Sequence, residues 1–142
     1  MRRLSILYWL CLVFTIPSFS QELSDREEIT KTVQLYFDGM MERDREKLDQ
    51  AFAPEARLIG FRGDKYTVTE YEDWASGTAS GNPRDISKYD NKLIRIHING
   101  TTAVAETELY WPGIYYYDYL TLLKIDGAWK IVHKSWTSRY LE

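Results

Sequence analysis

The sequence predicts an α+β fold in which helices gather on one face of a curved antiparallel sheet. Apolar residues recur at helical spacing in the first half of the chain, whereas the second half holds apolar and aromatic runs that alternate as strands do. Two short turn motifs, Asn99-Gly100 and Asp126-Gly127, separate these runs. Helices followed by a run of hairpin-linked strands are typical of this fold class.

Two helices are predicted at the start of the domain. Ser24 to Glu27 has the form of a capping box, and apolar residues at helical spacing follow it. We therefore expect the first helix to run from about Asp25 to Met41. Asp44 is expected to cap a shorter second helix, which ends before Pro54 because proline disfavours helix at the residue that precedes it.

The middle of the chain is expected to hold short elements and one long loop. Ala56 to Phe61 predicts a strand, with Tyr66 to Val68 as its return partner. A second capping box over Thr69 to Glu72 predicts a third helix. Gly77 to Lys88 is rich in Gly, Ser, Asn and Pro, and it predicts a loop at the mouth of a site.

The register of the last hairpin decides which side chains share a face. With a two-residue turn at Asp126-Gly127, Leu120 opposes His133 and Asp118 opposes Ser135. We assign this face to the interior, because its middle is aliphatic. The opposite, outward face then carries Tyr117, Tyr119, Thr121, Lys130, Val132, Lys134 and Trp136. Around the other turn, the residues expected to point inward are Ile94, Ile96, Ile98, Ala103 and Ala105, with His97 outward.

The N-terminus has the form of a secretory signal. Arg2-Arg3 precedes an apolar run, and Ser18-Phe19-Ser20 suits cleavage before Gln21. We expect a signal peptide over residues 1–20, one domain over residues 21–142, and a periplasmic or secreted mature protein without membrane attachment. An uncleaved N-terminal anchor is the alternative.

Charge and cysteine content argue against several functional classes. The formal net charge is -3, which does not suit a nucleic-acid partner. The single cysteine, Cys11, lies in the predicted signal peptide, and His97 and His133 are not at metal-ligand spacing. We therefore expect no metal site and no cofactor.

Three segments together resemble the nuclear transport factor 2-like superfamily. Met41 to Asp44 follows the first helix, Phe52 to Ala56 follows the second, and Asp126 to His133 closes the chain. Ketosteroid isomerase, scytalone dehydratase and the polyketide cyclases share that fold. Over residues 24–140 the chain is most similar to the bacterial group named putative lumazine-binding, or SnoaL-like. The resemblance implies a cone with a pocket between the concave sheet face and the helices, and a homodimer formed through the outer sheet face.

The candidate catalytic residues are His133, Asp118 and Tyr36. On the expected register Asp118 and His133 are diagonal neighbours at the open end of the cone, where a carboxylate orients an imidazole as a base. Tyr36 resembles, by position, the tyrosine of the ketosteroid isomerase oxyanion hole. Near Gly60, however, the chain has no carboxylate to match that enzyme's proton-transferring aspartate. The plain alternative is that His133 and Asp118 only satisfy each other's hydrogen-bonding groups and have no catalytic role.

Aromatic residues make up 15% of the chain and suit a flat or apolar ligand. The alternative is that most of them are ordinary core. Three functions remain, in this order: an exported protein that binds an apolar or aromatic small molecule, an isomerase, dehydratase or cyclase, and a dimeric structural or interaction module. The candidate ligand-binding residues are Tyr36, Phe37, Phe61, Tyr66, Tyr71, Trp74, Tyr116 and Trp129.

Overall fold

The computed structural model describes the backbone of residues 18–142 and the side chains from Gln21 onward. Most of the predicted signal peptide therefore lies outside the described residues. Within residues 18–142, no helix is long and apolar enough to cross a membrane. The helices are α1 (Ser18–Glu42), α2 (Arg45–Ala51) and α3 (Tyr71–Thr78), and the strands are β1 (Phe52–Arg62), β2 (Lys65–Glu70), β3 (Asp90–Asn99), β4 (Thr102–Trp111), β5 (Ile114–Ile125) and β6 (Ala128–Tyr140).

The six strands form one sheet in the order β2-β1-β6-β5-β4-β3, and the predicted α+β class is confirmed. The sheet is mixed rather than purely antiparallel, because β1 and β6 run parallel. The connection between these two strands explains this. The chain leaves β1 through β2 and α3 and then forms the antiparallel strands β3, β4 and β5. It returns as β6 along the edge of β1 that is not paired with β2. A crossover of that length is what parallel neighbours require.

Helix α1 buries the predicted apolar stripe but begins earlier than its capping motif suggested. Ile29, Val33 and Met40 are all buried beneath the sheet. Ser24 lies inside the helix, so the capping box predicted there is wrong. The adjacent Asp25 is buried instead, and it accepts hydrogen bonds from Lys124 Nζ at 2.6 Å and from Trp129 Nε1 at 3.1 Å.

The turn between α1 and α2 follows the prediction at Asp44. The Asp44 side chain accepts a hydrogen bond from the backbone N–H of Lys47 at 3.2 Å, which caps α2. The two helices cross closely at Gly39, where an added Cβ would lie 2.6 Å from Leu48 Cδ2. A glycine is therefore required at this crossing.

Helix α3 forms where it was predicted, although not by the predicted cap. Glu70 is its N-cap and makes no side-chain capping bond, so the box at Thr69–Glu72 is wrong. The start of α3 is instead stabilised by aromatic packing and by an ion pair. The Tyr71 ring stacks on Phe52 at 5.1 Å between centroids, and Glu72 forms an ion pair with Arg45.

The two predicted turns are both tight hairpins, but only one uses the expected residues. Asp126 and Gly127 form the β5–β6 turn with positive φ angles of 50° and 83°. In the β3–β4 turn, Asn99 pairs with Thr102, so the loop residues are Gly100 and Thr101. Moving the turn by one residue changes the register between the strands by two residues, from Ile98 opposite Thr101 to Ile98 opposite Ala103, so the inward faces stay as predicted. Ile94 is the exception: it is 44% exposed, because the ladder is irregular between Leu93 and Arg95.

A β-bulge in β6 reverses the faces predicted for its second half. Leu122 pairs with Ile131 as expected, but Thr121 pairs with His133, so Val132 is an extra residue without a partner on β5. Beyond the bulge, every side chain of β6 points to the opposite face from the one that regular pairing predicts. Lys134 and Trp136, which were predicted to face outward, therefore point into the cone.

Candidate functional site

A cavity of about 970 Å³ opens at the end of the cone away from the Asp126-Gly127 turn. Its walls come from the ends of β1, β4, β5 and β6, from α3, and from the loop that follows α3. The predicted loop from Gly77 to Lys88 contributes Thr78 and Arg84 to this lining. A cavity of this size is in the range that holds a small organic molecule.

The polar floor of the cavity is a cluster of three side chains, which we call the Tyr36–Asp118–Lys134 triad. The Tyr36 hydroxyl donates to Asp118 Oδ2 at 2.7 Å, and Lys134 Nζ lies 2.9 Å from the same oxygen. Lys134 Nζ also donates to the Tyr36 hydroxyl at 2.6 Å. Asp118 and Tyr36 are fully buried, whereas Lys134 is 8% exposed and borders the cavity.

Burial determines which groups of the triad donate hydrogen bonds. Burial, and secondarily the Asp118 charge, holds the pKa of Tyr36 well above its usual value, so Tyr36 remains a neutral donor. An ammonium has three N–H donors, and the bonds to Asp118 and Tyr36 use two of those of Lys134. The third is free to meet a ligand. Within the described part of the chain, the other carboxylate oxygen, Asp118 Oδ1, has no hydrogen-bond partner.

The predicted pairing of His133 with Asp118 is wrong. The bulge at Val132 turns His133 outward, where it lies opposite Thr121 on β5 and beside Arg57 on β1. Lys134 takes the place on the inner face that His133 was expected to occupy. Tyr36, the third candidate catalytic residue, is hydrogen-bonded to Asp118.

Aromatic rings form the walls above the triad. Trp111 and Tyr116 meet edge to face at 5.4 Å, and Trp74 and Trp136 lie on either side of Lys134, whose Nζ is 5.9 and 5.8 Å from their ring centroids. Gly60 makes room for Trp136, because an added Cβ there would lie 2.5 Å from the indole ring.

Three of the eight residues predicted to bind a ligand line this cavity, and a fourth lies beneath it. Phe61, Trp74 and Tyr116 line it, and Tyr36 supports its floor. The others belong elsewhere: Phe37 and Tyr71 are buried in the core, Trp129 is buried beside Asp25 at the far end of the cone, and Tyr66 is 57% exposed on the outer strand β2.

The sequence reading missed Trp111, Trp136 and Lys134, together with the arginines of the lining. The bulge concealed Lys134 and Trp136, which regular alternation places on the outer face. Within residues 18–142, no three His, Cys, Asp or Glu side chains are grouped as metal ligands would be.

Comparison with known proteins agrees with this architecture. The model of the family "Putative lumazine-binding" matches residues 24–137. The chain belongs to this family. The curated relative "Aldolase FrzH" from Cladobotryum sp is 25% identical over 116 residues, which is 78% of this chain and 89% of that protein.

Several solved structures with a similar fold superpose on most of the chain. An NTF2-like protein of unknown function from Methylobacillus flagellatus KT matches with a TM-score of 0.72 and 28% identity, over 82% of this chain and 94% of that one. An NTF2-like protein of unknown function from Shewanella baltica OS155 matches with a TM-score of 0.74 and 23% identity, over 82% and 95%. The fold is therefore nuclear transport factor 2-like, and family and fold together support a small-molecule-binding domain.

Proposed function

We propose that this protein is an exported binder of a flat small molecule, which it holds in the cavity between the sheet and the helices. The observation that carries this proposal is the cavity itself: about 970 Å³, with indole and phenol rings and several cationic side chains in its lining and one polar cluster at its floor. Aromatic walls with a few polar groups at one end hold a planar ligand by stacking and fix its orientation by hydrogen bonds. The family name points to the same ligand class, since lumazine is a flat bicyclic heteroaromatic.

Native mass spectrometry of protein purified from its own host tests this proposal. We expect an additional mass on the folded protein that is lost on denaturation, and ultraviolet absorbance in the extracted molecule. Trp136→Ala removes a wall and should lose the bound mass, whereas Tyr119→Ala, a change on the outer sheet face, should retain it. A wild-type protein that binds no aromatic molecule from extract or from a compound panel would contradict the proposal.

Export remains part of this proposal and has its own test. The Arg2-Arg3 start and the Ser18-Phe19-Ser20 segment motivate it. Protein from the native host should begin at or near Gln21 and should be found in the periplasm or the medium. Since α1 starts at Ser18, that cut would remove the first residues of the helix. An intact Met1 in the membrane fraction would favour the anchored form.

An enzymatic function is the second candidate, and the Tyr36–Asp118–Lys134 triad favours it. Lys134 presents an ammonium at the cavity floor, where it can hydrogen-bond a ligand carbonyl and stabilise the negative charge that develops on that oxygen during isomerisation, dehydration or cyclisation. His133 has no place in this mechanism because it faces away. If the co-purified molecule is converted by wild-type protein, Lys134→Met should abolish conversion, and His133→Ala should leave it unchanged.

Assembly as a homodimer through the outer sheet face is also proposed. Tyr119 and Leu123 are 49% and 36% exposed on this face, which fits an interface between two copies. Trp136 was expected to take part but lines the cavity instead. The dimer would leave the mouth of the cone free, so it is compatible with ligand binding.

A further inference from the structure

The lining of the cavity has a charge opposite to that of the whole chain. The formal net charge is -3, yet the cavity is lined by Arg62, Arg84, Arg139 and Lys134, and among the described residues no Asp or Glu lines it. Lys134 is neutralised by Asp118 beneath it. The three arginines carry the positive charge that faces the ligand.

Several arginines outside the cavity are paired with carboxylates. Arg45, Arg57 and Arg95 each lie within 4.0 Å of a carboxylate. Within the described residues, neither Arg62 nor Arg84 forms any such ion pair, although acidic residues outnumber basic ones in the chain, 21 to 18. In the part of the chain that the structure describes, the cavity arginines therefore have no carboxylate partner.

Arg84 is fixed in place rather than extended into solvent. Its Nε donates to the Met40 carbonyl at 3.3 Å, its Nη1 donates to the Tyr89 hydroxyl at 3.3 Å, and its guanidinium lies 4.8 Å from the centroid of Trp111. A guanidinium has five N–H donors, so these contacts leave the others for a ligand. A charge held on an aromatic face next to a cavity is preorganised for an anion.

A second cation lies behind Arg84 and adds to the positive potential. Arg43 donates to the Thr78 carbonyl at 2.7 Å, and its buried Nε has no partner within the described part of the chain. Burial, with the charge of Arg84 as a secondary cause, lowers the pKa of Arg43. A negative ligand beside Arg84 would relieve this like-charge contact.

Arg62 and Arg84 line the same cavity as Tyr116. Tyr116 lines the cavity, and both arginine charges act on its hydroxyl and oppose the rise in its pKa that burial and Asp118 produce. Tyr116 also contacts Trp111 edge to face, so the positive groups and the aromatic wall adjoin each other. A ligand that stacks on this wall has its edge beside the arginines.

We propose that the ligand is a planar aromatic or conjugated carboxylate whose ring stacks within the indole walls and whose carboxylate is bound by Arg62 and Arg84. This proposal rests on the proposed binding function and narrows its ligand class. A bidentate guanidinium–carboxylate contact supplies both affinity and orientation. The triad then meets the far end of the ligand through the free N–H of Lys134.

A matched pair of probes tests the proposal: 2-naphthoate and its neutral amide, 2-naphthamide, which have the same ring system. Isothermal titration should show the carboxylate binding at least about tenfold more tightly than the amide, as expected for a hydrogen bond to a charged group. The advantage should decrease at high sodium chloride. Quenching of tryptophan fluorescence provides a second signal, because three indoles line the cavity.

Variants separate the arginine contacts from general charge effects. Arg62→Gln and Arg84→Gln should each remove most of the carboxylate advantage while amide affinity stays within about twofold. Arg57→Gln, on the outward face of the same strand as Arg62, is the matched control and should leave both affinities unchanged. Arg62 is exposed, and within the described residues its side chain forms no hydrogen bond or ion pair, so Arg62→Gln preserves the test if Arg84→Gln unfolds.

The outcomes distinguish the two proposals. If amide and carboxylate bind equally, or if Arg62→Gln and Arg84→Gln leave the carboxylate affinity unchanged, the anionic ligand is refuted and the binding function stands. If neither probe binds at any concentration tested, both proposals fail together.

Discussion

Replacing Lys134 with methionine should destabilise the protein far more than the same change at the surface. Asp118 is fully buried, and its Oδ2 is held by Lys134 at 2.9 Å and by Tyr36 at 2.7 Å. Lys134→Met keeps a side chain of similar length and leaves a buried carboxylate with one remaining hydrogen bond. Removing one member of a buried ion pair costs about 3–5 kcal/mol.

The matched control is Lys92→Met on β3. Lys92 Nζ lies 2.6 Å from Asp90 Oδ2, but the two side chains are 51% and 56% exposed. Water screens such a pair, so its loss should change the free energy of unfolding by about 0–1 kcal/mol. The comparison holds the substitution constant and changes only burial.

Urea unfolding followed by tryptophan fluorescence is the assay, because urea does not screen charges as guanidinium salts do. With a slope of about 2 kcal/mol/M, the Lys134→Met midpoint should fall by roughly 2 M. The double variant with Asp118→Asn removes both charges and should be more stable than the summed single losses by about 2 kcal/mol. Equal losses for Lys134→Met and Lys92→Met, or strict additivity in the double variant, would refute this reasoning.

Three further predictions concern other parts of the molecule. Asp25→Asn should lower the free energy of unfolding by about 1–3 kcal/mol at pH 7. Because the hydrogen bond from Lys124 lowers the pKa of Asp25 below 3.8, this deficit should shrink as the pH falls through that lowered pKa. Urea titrations at a series of pH values measure the change. Gly60→Ala should displace Trp136, seen as a shifted emission maximum and a stability loss of about 1–3 kcal/mol. Tyr119→Glu should convert the proposed dimer into monomers in sedimentation velocity; a wild type that is monomeric at high concentration would refute that dimer.

Local signals in the sequence were enough to predict much of this fold. The α1 stripe from Ile29 to Met40, the Asp44 cap and the Asp126-Gly127 turn each depend on residues a few positions apart, and all three appear in the structure. The predictions that failed depend on partners distant in sequence. Asp25, for example, lies in a sequence typical of a capping box. Its carboxylate instead accepts hydrogen bonds from Lys124 and Trp129, about a hundred residues away.

The candidate site was only partly predictable, for the same reason. Asp118 was expected on the inner sheet face and is buried there, because β5 alternates regularly up to the hairpin. The side chain that completes the site lies beyond Val132, where regular alternation no longer applies. No propensity in Val132 or His133 marks that position, since a bulge is set by how neighbouring strands fit together.

The bulge at Val132 coincides with an irregularity in the pairing of β6 with its other neighbour, β1. Between Phe52 and Arg57 the pairing of β1 with β6 shifts register, and Pro54, which has no N–H to donate, lies in that gap. The bulge at Val132 occurs at the same level on β6. One strand can therefore bury Ile131 in the core and still direct Lys134 and other polar or aromatic side chains into the cavity.

Two deletions in β6 test whether the bulge determines which side chains of this strand face the cavity. Deleting Val132 removes the extra residue and keeps the observed pairings of β6 with β5, so Lys134 and Trp136 stay on the inner face. Deleting Ser135 leaves Lys134 inward but turns Trp136 to solvent, since one residue reverses the faces of a strand. Exposure of that indole should make the Ser135 deletion less stable than the Val132 deletion by about 2 kcal/mol in urea unfolding. Equal losses would mean that the bulge does not set the faces of β6.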